Sequence, residues 1–166
     1  MQLRIHSAGG KLRNALLAPL ILTALLLTGV VQANEPAEPV EQVIKEKPFA
    51  EARVVLQISD PNPFKQTLVL NVAGNLIAYY GQDRVDIEVV AFGPGLRLLF
   101  EDNAQAPRIK SLVQQGVRFS ACANTLDNMT NKLGHEPKLN PAARIVPAGI
   151  VRLIQLNQAG YFVAKP

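Results

Sequence analysis

The apolar residues after position 50 follow two alternating patterns: short β-branched runs, and longer stretches with helical spacing. The strand-like runs are 53–59, 86–92, 117–121, 143–146 and 161–164. The helix-like stretches are 68–80, 96–100, 109–115, 126–133 and 149–158. Strands that alternate with helices form parallel β-α-β units, and a parallel sheet is covered by helices on both faces. We therefore predict an α/β fold, a three-layer α/β/α sandwich with a mostly parallel sheet of about five strands.

The first 33 residues have the three-part pattern of an export signal. Three basic residues precede an apolar stretch from 15 to 31, and Val31-Gln32-Ala33 places small residues at the two positions that a signal peptidase reads. The apolar stretch is at the lower edge of the roughly 17–25 residues that a membrane-spanning helix needs. We expect cleavage after Ala33, a periplasmic or secreted protein, and no stable membrane insertion after cleavage. An uncleaved anchor is the alternative.

Removal of residues 1–33 changes the charge of the protein. Three of the 17 basic residues and none of the 13 acidic ones lie in this segment, so the net charge falls from +4 to +1. The remainder has no basic stripe interleaved with aromatic residues, and we expect no nucleic acid partner. Residues 34–50 contain three prolines and several glutamates. We predict a Pro/Glu-rich linker without secondary structure there, followed by one domain over 51–166.

Cys122 is the best candidate for chemistry because it is the only cysteine and lies where the strand 117–121 leads into a helix. Asn124 and Thr125 are natural N-caps for that helix. Free backbone N–H groups at a helix start favour negative charge on the sulfur. A lone cysteine in an oxidising compartment is buried, paired between chains, or reactive. A buried, inert thiol is therefore the alternative.

Three further residues are expected at the site. Arg118 alternates with Cys122 along the predicted strand, so the two side chains share a face and the guanidinium can stabilise a thiolate. Gly93 and Gly95 follow the strand 86–92, and their backbone would line the mouth of the Cys122 pocket at the same sheet edge. The alternatives are a solvated strand residue at Arg118 and a tight structural turn at the two glycines.

Other sequence motifs and residue counts argue against several classes of site. Leu98 occupies the third glycine position of a dinucleotide fingerprint, and no Gly-Lys-Ser/Thr sequence follows the turn. A nucleotide or flavin binder is therefore disfavoured, and we expect no cofactor. His135 is the only histidine beyond residue 33, and one Cys with one His cannot make a zinc site of ordinary ligand count. We expect no metal, and a pairing of His135 with Cys122 is the weaker alternative to a surface histidine.

Several segments taken together resemble the DsrE/DsrF-like family. They are Phe92-Gly93-Pro94-Gly95, Gly116-Val117-Arg118-Phe119, Cys122-Ala123-Asn124-Thr125-Leu126, Val146-Pro147-Ala148-Gly149-Ile150-Val151-Arg152-Leu153 and Gln158-Ala159-Gly160-Tyr161. The resemblance covers about 53–166. It implies a three-layer α/β/α domain that assembles into homo- or hetero-oligomers. Some members of the family carry sulfur as a persulfide, and Cys122 falls where those members place the sulfur-accepting cysteine.

The sequence therefore leads to two functional hypotheses. The first is an exported sulfur-handling protein, a persulfide carrier more than a turnover enzyme, which uses Cys122 and exchanges sulfur with a donor or acceptor protein. The second is a non-catalytic periplasmic binding or oligomeric assembly module in which Cys122 is buried and inert. Both include a homo-oligomer, as the resemblance implies.

Overall fold

A computed structural model describes residues 34–166, and a single five-stranded parallel sheet runs through them. The strands are β1 (Ala52–Ile58), β2 (Val85–Ala91), β3 (Arg118–Cys122), β4 (Ala143–Val146) and β5 (Phe162–Ala164). Their order across the sheet is β4-β3-β2-β1-β5, and every neighbouring pair is parallel. All the carboxyl ends of the strands therefore lie at one edge of the sheet.

Helices cover both faces of the sheet. They are α1 (Val40–Glu46), α2 (Pro63–Tyr80), a 3-10 helix (Gly93–Leu99), α3 (Ala106–Gln114), α4 (Ala123–Leu133) and α5 (Gly149–Gln158). The larger core lies under α2, the 3-10 helix, α3 and α4, and the smaller one lies under α1 and α5. The predicted α/β/α sandwich is confirmed. Within 34–166, none of the helices has the length and apolar character needed to span a membrane.

β2 is the central strand, and all seven of its residues are buried. Because successive side chains point to opposite faces, Ile87 and Val89 join the larger core. Asp86 and Glu88 point the other way, under α1 and α5. Burial of an unpaired carboxylate costs free energy, so positively charged side chains must pair with Asp86 and Glu88 on this face of the sheet.

The segment 34–50, which we call the N-terminal strap, differs from the predicted unstructured linker. Pro36 forms a parallel bridge with Ile145 of β4, where Ala37 N donates to Ile145 O at 2.8 Å. Helix α1 then crosses the sheet and buries Val43 completely in the smaller core. The docking depends on very few apolar residues in a seven-residue helix, too few to produce a visible period in the sequence.

Candidate functional site

Cys122 is both the last residue of β3 and the N-cap of α4, with no loop between the two elements. Its backbone is extended, with φ −73° and ψ 116°, and the chain turns directly into the helix. The residue is 5% exposed, whereas Asn124, two positions further, is exposed. The thiol therefore lies shallowly beneath the surface at the carboxyl edge of the sheet.

This position suits an anionic sulfur. The first N–H groups of a helix have no intrahelical acceptor, and no side chain caps α4. An N-cap side chain is placed to accept from the amides two and three residues ahead, which are those of Asn124 and Thr125. Asn124 N has only a long contact of 3.4 Å with Pro147 O. A thiolate or persulfide on Cys122 would thus meet backbone donors and the positive end of an 11-residue helix.

The turn after β2 is bonded to the first turn of α4. Gly93 N donates to Thr125 Oγ1 at 2.9 Å. Gly93 has φ +52°, a left-handed conformation that favours glycine. Since Thr125 is in the helical turn that Cys122 begins, the structure brings Cys122, Asn124, Thr125 and Gly93 to one edge of the sheet. The predicted N-cap role of Asn124 and Thr125 is wrong: α4 begins at Ala123, so both residues lie inside its first turn, and Cys122 is the N-cap.

Close packing holds this edge together. A Cβ on Gly95 would lie 2.6 Å from Ile58 O at the end of β1. A Cβ on Gly149, at the start of α5, would lie 2.9 Å from the Phe92 side chain. Gly95 is therefore buried against β1, in a place where its backbone supports the turn and where any side chain would clash.

Arg118 is placed differently from the other predicted site residues. It begins β3, four residues before Cys122, which corresponds to about 13 Å along a strand. Its Nε lies 3.4 Å from Glu88 Oε2, and its Nη2 lies 2.7 Å from Asp86 Oδ1. The predicted stabilisation of the thiolate by Arg118 is not seen: the contacts of the guanidinium are with the carboxylates of β2, and the structure does not bring it to the thiol.

Arg118 belongs to a group of side chains that the sequence did not identify, which we call the buried charge cluster. Its members are Asp86, Glu88, Arg118, Arg152 and Tyr161. Tyr161 Oη donates to Asp86 Oδ2, and Arg118 Nη2 donates to Tyr161 Oη at 3.2 Å. Arg118 Nη2 and Asp86 Oδ1 form an ion pair at 2.7 Å.

Glu88 is the centre of the buried charge cluster. Arg152 donates to both of its oxygens, from Nε at 2.7 Å and from Nη2 at 2.9 Å, and Ser120 Oγ donates at 2.7 Å. Burial alone would raise the pKa of Glu88, but the donors on Arg152 and Ser120, with the Arg118 charge, hold the pKa below its usual value. Burial and the bond to Asp86 raise the pKa of Tyr161.

One feature of the sequence could have indicated the buried charge cluster. Asp86 and Glu88 alternate with Ile87 and Val89 in a strand that the apolar pattern already predicted. A central strand of a parallel sheet is buried on both faces, so two acidic residues in it require cationic partners. The pattern does not say which residues those are, because Arg152 lies 64 positions away in the chain.

A groove of about 510 Å³ lies between the N-terminal strap and α5. Its walls are mostly apolar, with polar groups from residues such as Gln155 and Gln158. Val146 lines the groove and is the strand partner of Cys122. The groove therefore begins one strand away from the thiol, on the α5 side of the sheet.

His135 is not part of this site. It follows the C-terminal end of α4, about 16 Å along the helix from Cys122. The side chain is exposed, and its Nδ1 lies 3.4 Å from Glu136 O. Over residues 34–166 no three His, Cys, Asp or Glu side chains are grouped so that they could hold a metal ion.

Comparisons with known proteins give matches among solved structures. No protein-family model matches the chain, and no curated protein matches it. A protein of unknown function from Methanobacterium thermoautotrophicum, MTH1491, is 29% identical with a TM-score of 0.62, over 70% of this chain and all of that one. The ychN protein from E. coli is 15% identical with a TM-score of 0.56, over 69% of this chain and 99% of that one.

These two likenesses bear on the fold. Both matches cover nearly the whole length of the matched protein and about 70% of this chain. The expected family is supported at the level of fold: the chain has a DsrE/YchN-like α/β sandwich, built on a parallel five-stranded sheet with Cys122 at its carboxyl edge.

Proposed function

We propose that the protein is an exported persulfide carrier that holds sulfur on Cys122. The observation that carries the proposal is the position of Cys122 at the N-cap of α4, a helix whose first backbone N–H groups have no side-chain cap. The resemblance to the DsrE/DsrF-like family and the DsrE/YchN-like fold support the same role. Arg118 supports it only indirectly, because its contacts stabilise β2 and β3 beneath the site.

The chemistry is a transfer between sulfur atoms. The Cys122 thiolate attacks the outer sulfur of a persulfide on a donor protein. A new S–S bond forms at Cys122, the donor's S–S bond breaks, and the donor leaves as a thiolate. No net oxidation or reduction occurs, so no cofactor is consumed. The helix N-terminus stabilises the charge on Cys122 before attack and on the terminal sulfur of the persulfide afterwards.

The shallow burial of Cys122 fits a carrier that exchanges sulfur with a protein. The residue is 5% exposed, and Asn124, two positions further along the chain, is exposed. A donor must bring its own sulfur to the strand edge. The terminal sulfur of a persulfide extends about 2 Å beyond the thiol sulfur.

Alkylation of the folded protein tests whether Cys122 can take part in this exchange. We expect a small alkylating reagent to modify the thiol under native conditions. After prior treatment with polysulfide we expect an alkylated product that carries one more sulfur atom and that dithiothreitol cleaves. Cys122→Ser is the matched control, since it removes the only thiol and keeps a small polar side chain. Alkylation that begins only after unfolding in denaturant would contradict the proposal.

Export is part of the proposal, although residues 1–33 lie outside the described residues. We expect the protein recovered from the periplasm or the medium to begin at Asn34, as N-terminal sequencing would report. A chain that still begins at Met1 would contradict cleavage after Ala33.

A second candidate, an assembly module, is favoured by the outer face of α5. Ile150, Val151 and Ile154 are 57%, 47% and 51% exposed, and the only charged residue of the helix, Arg152, is buried. An apolar surface of this kind marks an interaction site. We propose that it contacts a second copy of the chain, which is compatible with a carrier role.

The oligomeric state tests the assembly role. We expect Ile154→Asp to lower the mass measured by size-exclusion chromatography with light scattering. Val113→Asp is the matched control, because Val113 is an exposed apolar residue of α3 on the opposite side of the sheet. Cys122→Ser is expected to keep the oligomer and lose sulfur. Unchanged mass for Ile154→Asp would contradict the α5 interface.

A further inference from the structure

The start of α2 and the turn before it expose an apolar surface, which we call the apolar rim. Its members are Pro61, Pro63, Phe64 and Leu68, and all four are exposed. Phe64 is 85% exposed, more than any other large hydrophobic residue in the described part of the chain, and Leu68 follows it by one helical turn on the same face. Clustered apolar side chains of this kind, with an aromatic residue among them, mark a contact surface for another protein.

The turn that carries the rim has a fixed conformation. Asn62 N donates to Asp60 Oδ1 at 2.8 Å, and Phe64 N donates to Asn62 Oδ1 at 2.9 Å, which caps α2. The rings of Pro61 and Pro63 hold φ at about −65°. The backbone that presents Phe64 is therefore ordered before a partner binds, and binding to such a surface costs little conformational entropy.

The rim is joined to the start of α4 through the turn after β2. Gly95 packs so closely on the end of β1 that a Cβ there would lie 2.6 Å from Ile58 O. In the same turn Gly93 N donates to Thr125 Oγ1, and Pro94, between the two glycines, is exposed. The rim, this turn and the first turn of α4 therefore form a continuous surface at the carboxyl edge of the sheet.

A protein that reaches Cys122 also covers the rim. Ile58, Ala91 and Ala121 are in register across β1, β2 and β3, so the end of β1 lies about 10 Å from the residue before Cys122. The rim begins at Pro61, shortly after β1 ends. An ordinary protein interface covers about 800 Å² of each partner, equivalent to a disc of about 16 Å radius. A donor whose persulfide contacts Cys122 therefore has the rim within its footprint.

We propose that the apolar rim is the docking surface for the protein that donates sulfur to Cys122, with Phe64 as its central contact. The inference rests on the proposed carrier function and specifies the partner as a persulfide-bearing protein with an apolar pocket beside its reactive cysteine. The charged residues that flank the rim, Asp60 and Lys65, have opposite signs and are both exposed. Recognition therefore comes from apolar contact rather than from net charge. The rim positions the donor and takes no part in the S–S exchange.

A second copy of the chain is the alternative occupant of the rim. The proposed contact with a second copy is on α5, which covers the opposite face of the sheet from α2, so that contact leaves the rim open. Sulfur exchange at Cys122 requires a protein at the carboxyl edge of the sheet, where the rim lies. The donor protein is therefore the occupant that the position of the rim favours.

Rates of sulfur loading by a protein donor and by a small donor test the docking role of the rim. The protein donor is a sulfurtransferase that carries a persulfide formed from thiosulfate, the small donor is polysulfide, and intact mass follows the loading of Cys122. We expect Phe64→Ser to lower the rate constant with the protein donor about tenfold, because docking loses its aromatic anchor. Polysulfide needs no docking, so it should load Phe64→Ser at the parent's rate.

Phe49→Ser is the matched control, because Phe49 is 84% exposed and precedes β1, at the opposite edge of the sheet. It should keep the parent's rates with both donors. The docking proposal is overturned if the protein donor loads Phe64→Ser as fast as the parent, if Phe49→Ser is slowed equally, or if polysulfide loading of Phe64→Ser is slowed to the same extent.

Two further outcomes identify other causes. A lower mass of Phe64→Ser by size-exclusion chromatography with light scattering would assign the rim to a second copy and would overturn its role in donor docking. A parent chain that neither donor loads would contradict the carrier function itself, and the docking proposal with it. Loading of the parent by both donors, with Phe64→Ser slowed only with the protein donor, is the result that the proposal predicts.

Discussion

Arg152 of α5 holds both carboxylate oxygens of Glu88 in the interior of the domain, at 2.7 and 2.9 Å. This two-pronged ion pair joins the central strand to the helix that packs over it. Both side chains are almost fully buried, and Ser120 completes the hydrogen bonds of Glu88. The pair therefore fixes the position of α5, whose first turn adjoins the carboxyl edge where Cys122 lies.

Replacement of Arg152 by methionine is expected to destabilise the fold strongly. It keeps much of the side-chain volume but leaves Glu88 buried with only Ser120 and Arg118 as partners. Removal of one partner of a buried ion pair costs about 3–5 kcal/mol, measurable by denaturant unfolding. Arg84→Met is the matched control, because its pair with Glu51 is exposed and is worth at most about 1 kcal/mol. Equal losses in the free energy of unfolding for Arg152→Met and Arg84→Met would contradict the role of the buried pair.

Glu88 is also expected to contribute to acid sensitivity. Its pKa is below the usual value of 4.5 in the folded protein, so its contribution to stability is present above 4.5 and is lost as the pH falls through the lowered pKa. The measurement is the free energy of unfolding from about pH 6 to about pH 3. Glu88→Gln should show a smaller decline over this range than the parent. An unchanged slope would mean that other carboxyl groups account for the acid sensitivity.

Gly95 is expected to tolerate no side chain. A Cβ there would lie 2.6 Å from Ile58 O, a backbone atom that cannot move aside. We expect Gly95→Ala to lower the free energy of unfolding by about 1–3 kcal/mol. Gly74→Ala is the control: this glycine is inside α2 with nothing within 4 Å of the added carbon, so the change should stabilise by about 0.5–1 kcal/mol. Thermal unfolding of both variants checks the opposite signs.

Thr125 is expected to support the site through one hydrogen bond. Thr125→Val keeps the shape of the side chain and leaves Gly93 N–H without its acceptor. The expected cost is about 1–3 kcal/mol in denaturant unfolding. Thr130→Val, on the same helix, is the control, since no hydrogen bond of the Thr130 side chain is present in the described part of the chain. If Thr125→Val lowers the free energy of unfolding no more than Thr130→Val does, water replaces Thr125 Oγ1 as the acceptor for Gly93 N–H.

The hydrophobic pattern predicted most of the fold because it reports directly on burial. The runs of β1 and β2 and the helical face of α5 lie within a residue or two of their predicted positions. Helix α2 begins earlier than the pattern indicated, at Pro63, because Asn62 caps it and proline fits a first helical position. Helix α1 was missed because Val40 and Val43 depend on tertiary contacts rather than on a repeating period.

The candidate site could be predicted only in part. The edge that gathers Cys122, Thr125 and Gly93 follows from parallel topology, which places all strand ends together. The partners of Arg118 could not be predicted in this way. Alternation shows on which face of a strand a side chain lies, but not which side chains of the neighbouring strands and helices it contacts. The pairing of Glu88 with Arg152 depends on how α5 packs over the sheet, and a single sequence does not specify that geometry.

The most direct test of the central claim is the intact mass of the protein after incubation with a persulfide-bearing sulfurtransferase and thiosulfate. The account predicts a gain of one sulfur atom on the parent chain, reversed by dithiothreitol and absent from Cys122→Ser. A parent chain whose mass is unchanged, with a thiol that resists alkylation until the protein is unfolded, would contradict a carrier role for Cys122.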